Sequence, residues 1–169
     1  MRRASSATDA LKTFERDWHL LQSYISYHDI RAQHGLDDIA SSMRRLCETV
    51  LHDEAHAAPH ALGTCFAYLV ENNILNDLVS LCLPDEPLGI LDEFLRMCTT
   101  LVRHIHVPWF LANEGVAHAL LQLLRSCNKK QQKPPGLVEL VYALCARIHQ
   151  QPDTPVSDTH LTRPPKERV

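Results

Sequence analysis

An all-α fold is predicted by three features of the 169-residue chain. A two-helix pattern occurs twice in the same order. Apolar residues recur at helical spacing along most of the sequence. Nowhere do β-branched residues alternate with polar ones over a useful length, so no strand is predicted. The first occurrence opens with Tyr68 to Cys82, YLVENNILNDLVSLC, and the second with Phe110 to Leu124, FLANEGVAHALLQLL. The offset is about 42 residues, inside the ~40–47-residue spacing of HEAT and armadillo repeats. It sets Leu69 on Leu111, Ile74 on Val116, Leu78 on Leu120, Val79 on Leu121 and Leu81 on Leu123.

A second matched helix follows each copy. PLGILDEFLRMCTTL begins at Pro87 and PPGLVELVYALCARI at Pro134. Here Ile90 falls on Leu137, Leu91 on Val138, Phe94 on Val141, Met97 on Leu144, Cys98 on Cys145 and Leu101 on Ile148. The longer offset is absorbed by the polar connection from Cys127 to Pro135, where added loop length costs little. One helix pair cannot bury its apolar face alone, whereas stacked pairs share a continuous core. The sequence therefore predicts an armadillo/HEAT-like solenoid of stacked helix pairs.

Taken in order, residues 1–7 read as a flexible N-terminus and residues 8–151 as the α-helical repeat domain. Thr8 or Asp9 caps a first helix whose apolar stripe is Leu11, Phe14, Trp18, Leu21 and Ile25. A polar connection runs from Tyr27 to Gly35. The second helix spans Leu36 to about Glu54, with Ile39, Met43, Leu46, Cys47, Val50 and Leu51 at helical spacing. Pro59 suits the first turn of a third helix because its missing N–H is not needed there. That helix runs to Glu71 and turns Leu62, Phe66, Leu69 and Val70 inward. Glu71-Asn72-Asn73 breaks the first copy and Asn113-Glu114-Gly115 the second. Asn caps helices well, and Asn73 or Gly115 suits a left-handed backbone.

The fourth helix runs from about Asn73 to Leu83, where Pro84 stops it, and the fifth from Pro87 to His104. The fifth has Asp92 and Glu93 early and Arg103 and His104 late, as the helix dipole favours. Val107-Pro108-Trp109 breaks the chain. A short helix to Ala112 follows, then one from Glu114 to Ser126, then a last one from Leu137 to Gln150. Trp109 and Phe110, at a turn between units, are expected to pack into the neighbouring unit; the alternative is that they anchor a partner. The repeat domain reads as truncated at its C-terminal end, and a last helix without a capping unit exposes an apolar face. Residues 152–169 are polar and proline-rich and read as a disordered tail. Residues 155–169, PVSDTHLTRPPKERV, also resemble a translated sequencing adapter.

Composition excludes several functions. The net charge of -3 leaves no basic footprint for nucleic acid. No apolar run approaches the ~18 residues of a membrane span. The N-terminus has no apolar stretch of the secretory kind. The six cysteines, Cys47, Cys65, Cys82, Cys98, Cys127 and Cys145, contain no C-x-x-C pair. All but Cys127 sit in apolar stripes, so they read as buried thiols of a reducing compartment.

Asp53-Glu54-Ala55-His56 spells a helicase DEAH box, but a chain of five glycines has no G-x-x-x-x-G-K-[ST] loop to hold phosphate. His52, His56 and His60 recur every four residues, and two zinc ligands on one helix face share that spacing. The order HDEAH is not H-E-x-x-H, and Pro59 interrupts it, so no metal site is assigned. His104 and His106 suit a helix end, and His118 and His149 the surface. Asp37-Asp38 and Asp92-Glu93 are carboxylates at helix starts, where the dipole alone explains them. No nucleophile sits in a glycine elbow. No catalytic, cofactor-binding or metal-binding residue is assigned, and the chain is expected not to be an enzyme.

The order of its blocks resembles the N-terminal part of the FHIP family, the FTS–Hook-interacting proteins. The blocks are Phe14-x-x-x-Trp18, LCETVLHDE from Leu46, the long run from Pro59 to Phe110, and LVELVYALCARIHQQPD. The resemblance implies an all-helical, non-enzymatic adaptor that joins Hook and FTS and couples early endosomes to cytoplasmic dynein. It implies an early-endosomal Rab GTPase as membrane-side partner and a cytoplasmic protein peripheral on early endosomes, while the charge balance implies no nucleic-acid partner. The alternative is a self-contained helical regulatory or scaffold domain with no transport role.

Overall fold

A computed structural model of the chain describes residues 3–26, 35–58, 61–107 and 110–150. Among these residues there are seven helices and no strand. They are α1 (Arg3–Ser26), α2 (Leu36–His56), α3 (Thr64–Glu71), α4 (Ile74–Cys82), α5 (Ile90–His104), α6 (Glu114–Lys129) and α7 (Gly136–Gln150). The fold is all-α. The expected connection over residues 27–34, the residues Pro59, His60, Pro108 and Trp109, the side chain of Ile25 and the tail from 151 lie outside the described residues.

Contacts between helices run along two rows. In one, α2 packs on α5 and α5 on α7; in the other, α1 touches α4 and α4 packs on α6. The rows meet where α1 packs on α2, α3 on α1 and α2, and α4 on α5. One continuous core results. Phe14, Trp18 and Leu21 of α1 enter it, as do Ile39, Met43, Leu46, Cys47 and Val50 of α2. Phe94, Leu95, Cys98, Leu101 and Val102 of α5 lie at its centre. Phe14 meets Tyr68 edge-on at 6.0 Å, and Phe66 meets Phe110 at 5.6 Å. Trp18 is thus a core anchor, and Phe110 packs inward as its position after the break predicts.

Several boundaries differ from the periodicity reading. Helix α1 begins at Arg3, upstream of the Thr8 or Asp9 cap, because the intervening residues include no glycine or proline to stop it. Helix α3 begins at Thr64 and not near Pro59. Residues 61–63 before it are not helical, and Leu62 is exposed instead of turned inward. Helix α5 starts at Ile90, because Gly89 takes φ +98°, a left-handed conformation that ends the preceding turn. The short helix before Ala112 is a turn. Helix α6 continues to Lys129, which carries Cys127 out of the expected loop and into the core.

The two breaks also part company. Asn73 adopts φ +54° and separates α3 from α4. Gly115 does not: Asn113 accepts the Val116 N–H at 3.1 Å and starts the helix two residues earlier, so Gly115 lies in its first turn.

Leu78 and Leu120 occupy matching places on α4 and α6 and are 0% and 6% exposed. Replacing either with Ala removes a buried isobutyl group and leaves a cavity, at a cost of about 2–5 kcal/mol. Urea denaturation of the two variants is expected to return comparable losses; two neutral changes would overturn the register.

Candidate interaction surface

The acidic pair of the DEAH-like stretch is spent on structure. Asp53, buried at the end of α2, accepts the Cys65 N–H at 2.8 Å through Oδ2. Glu54 accepts the Gly63 N–H at 2.9 Å. The first N–H groups of a helix have no partner within it, and these carboxylates supply one from the preceding helix. That is why α3 starts at Thr64. A Cβ on Gly63 would stand 2.9 Å from Asp53 Oδ2 and 3.0 Å from the Glu54 backbone nitrogen, so the approach needs glycine. Burial pushes the Glu54 carboxyl above its ordinary range, the Gly63 hydrogen bond opposes that, and the Asp53 charge adds to it.

The histidines serve helix surfaces. His52 and His56 stack at 4.3 Å, and His56 Nδ1 hydrogen-bonds the His52 carbonyl at 2.7 Å. His118 Nδ1 hydrogen-bonds Asn76 Oδ1 at 2.9 Å, while Asn76 donates to the Gly115 carbonyl at 3.1 Å, which ties α4 to α6. Among the described residues, no group of three or more His, Cys, Asp or Glu side chains is placed to hold a metal ion.

Two charged residues act at long range. Asp92 pairs with Arg96 at 3.0 Å and accepts the Gly136 N–H at 2.7 Å, so it caps α7 from α5. The dipole of its own helix is therefore not its whole explanation. Arg147 of α7 returns the favour by donating to the Ile105 carbonyl at 2.7 Å, just past the end of α5, and by hydrogen-bonding His106 at 2.8 Å. Neither link has a sequence signal beyond charge near a helix end, because the partners lie more than forty residues apart.

Five cysteines are buried, Cys127 among them, and Cys145 is exposed. The stripe reading placed these two the other way round. Burial raises the Cys47 and Cys65 thiols to about 12, with Glu48 and Asp53 respectively adding to the effect. It raises Cys98 and Cys127 as well. None of these four supplies a thiolate nucleophile near neutral pH.

What remains is an apolar groove of about 490 Å³ between α6 and α7. Leu120, Leu121 and Leu124 form one wall, and Val141, Cys145 and Ile148 the other. Tyr142 and Val138 continue the α7 stripe beside it, both 74% exposed, and Ile148 is 60% exposed. The face has no charged group in its lining. Exposed apolar side chains gathered on one face mark binding surfaces, whereas single ones such as Leu88 need no explanation.

Two outcomes are expected from this arrangement. Asp53→Ala leaves the Cys65 N–H buried without an acceptor and costs about 1–3 kcal/mol in urea denaturation. Treating dilute folded chain with a maleimide modifies one thiol, Cys145, and treating it in urea modifies all six. Rapid modification of a second thiol in the folded chain would contradict the packing.

No helix among the described residues is long and apolar enough to cross a membrane. No solved structure matches the chain. The family model of RAI16-like proteins, described as Retinoic acid induced 16-like protein, matches residues 65–154. The assignment to FHIP, drawn from the order of the sequence blocks, is overturned by that match. The matched span runs from the start of α3 through α7 and takes in both copies of the two-helix pattern and the apolar groove. It is more than half of the 169 residues, and the chain belongs to the RAI16-like family.

Proposed function

We propose that the chain is a non-enzymatic adaptor module, an armadillo/HEAT-like solenoid of stacked helix pairs that works by binding other proteins. The packing of α6 on α4 and of α7 on α5 supports the stacked-pair reading, since it sets the second matched pair against the first. The observation that carries the binding reading is the apolar groove between α6 and α7. The acidic and histidine motifs that could have suggested chemistry are engaged at helix ends and helix surfaces. A rigid stacked-helix surface binds with little loss of conformational entropy.

In its narrower form the adaptor is cytoplasmic and peripheral on early endosomes. It joins them to cytoplasmic dynein through Hook, FTS and an early-endosomal Rab GTPase. The apolar groove on a stacked-helix surface is what supports that form, and family membership alone does not extend to it. The rival is a helical regulatory or scaffold domain with no transport role. Immobilised full chain is expected to retain purified Hook and FTS. Failure to retain either protein removes the transport form and leaves the scaffold reading.

A further inference from the structure

Two loops meet at one edge of the fold, where α5 and α7 begin. The turn before α5 carries Leu88, the loop before α7 carries Lys130 and Lys133, and the three side chains line one concavity of about 530 Å³. Three of the chain's five lysines, Lys129, Lys130 and Lys133, lie in this second loop and the helix end that leads into it. Leu88 is 84% exposed, the most of any large apolar residue among those described. Its exposure is built in. Asp85 accepts the Gly89 and Leu91 N–H groups, both at 3.0 Å, and a Cβ on Gly89 would stand 2.9 Å from Leu36 Cδ2, so the turn is fixed with Leu88 outward. The positive charge is not neutralised locally. None of the three lysines forms an ion pair with a described carboxylate. Lys133 donates to the neutral Asn128 Oδ1 at 2.8 Å. The two carboxylates lining the concavity are spent, Asp85 on its turn and Asp92 on Arg96 and the Gly136 N–H, and Glu86 beside them is engaged as well.

We propose that this edge docks directly on an anionic lipid surface, with Leu88 entering the boundary between headgroups and acyl chains and the three lysines facing the negative headgroups. The inference goes beyond the adaptor reading and does not depend on it. Two features select a lipid surface over an acidic protein. Leu88 projects alone, which offers a protein partner little area to bury, whereas a side chain entering a bilayer needs no matching pocket. By itself such a residue needs no account, but the lysines beside it supply one. The loop also uses lysine and no arginine, although arginine is the commoner of the two in the chain. Lysine is a hydrated point charge on a flexible stem and suits a fluid negative surface, whereas a fixed carboxylate is matched by the planar arginine fork. The net charge of -3 on the whole chain does not cancel the attraction, because charges are screened beyond ~8 Å at physiological salt and the lysines stand at the contact. One apolar side chain and three lysines make the docking weak and reversible.

Co-sedimentation of the full 169-residue chain with vesicles tests this. Vesicles of phosphatidylcholine mixed with phosphatidylserine are expected to retain the chain, vesicles of phosphatidylcholine alone are not, and added salt should release it. Lys130→Gln and Lys133→Gln should each weaken retention about fivefold. Leu88→Gln should weaken it several-fold with no change of charge. Arg103→Gln, an equal loss of charge on an exposed residue at the far end of α5, should leave it unchanged. All four side chains lie at the surface or in a loop, so helical circular dichroism is expected to stay the same. Leu88→Trp adds a fluorophore whose emission should move to shorter wavelength on the anionic vesicles alone. Equal retention on both kinds of vesicle overturns the proposal, as does retention indifferent to the lysine and Leu88 substitutions. Binding to soluble polyglutamate as tight as to the anionic vesicles would assign the edge to acidic proteins and overturn it too. Each of these failures leaves the adaptor reading to be judged by the capture of Hook and FTS.

Discussion

Helices as short as α3 and α4 are not stable alone, and their first N–H groups have no acceptor within the helix. The chain meets that constraint by capping helices from side chains elsewhere in the fold. Asp53 and Glu54, at the end of α2, hold the start of α3. Asp85 accepts the Gly89 and Leu91 N–H groups, both at 3.0 Å, and holds the start of α5. Asp92, on α5, holds the start of α7. Arg147, on α7, closes the end of α5. Each link fixes where a helix begins or ends and therefore which residues of its stripe reach the core. A charge-assisted hydrogen bond is stronger than a neutral one, and burial of Asp53 keeps water from competing for it.

The helices themselves were legible because periodicity is a local property. The stripe of α2 was read almost whole, since Ile39, Met43, Leu46, Cys47 and Val50 are all buried. Asn73 and Asn113 were recognisable as breaks because asparagine tolerates both caps and left-handed backbone. Which of the two uses each would adopt was not, since that depends on whether the side chain reaches a backbone N–H of the helix, and only Asn113 does. The start of α3 was missed for a related reason. Pro59 offered a local signal for a helix start, while the deciding interaction comes from Asp53, twelve residues before its partner. Asp92 and Gly136 were invisible as a pair, because nothing local links residues on different helices.

The apolar groove was only half legible. Its residues were recognised as members of a repeated stripe, but a stripe does not say which of its sides is covered. Cys98 and Cys145 make the point. They are the same residue at matching positions, one enclosed and the other exposed. Sequence pattern assigns both to the core. The difference lies in what stacks on each helix, and that is a property of the neighbouring pair.

The same reasoning separates the acidic motif from the apolar face as carriers of function. Asp53 and Glu54 looked chemical in sequence, yet each accepts a backbone N–H in a place where the chain would otherwise lack an acceptor. Their geometry is explained in full by the helix they hold. Val138 and Ile148 looked structural in sequence, yet they meet water with most of their surface. Leaving such side chains exposed forgoes stabilisation of about 25 cal/mol for each Å² of apolar area. That deficit is confined to one face, and a contact that covers the face recovers it. The residues we propose for binding are therefore ones that pattern assigned to the core, and the residues that pattern offered as a site hold helix ends.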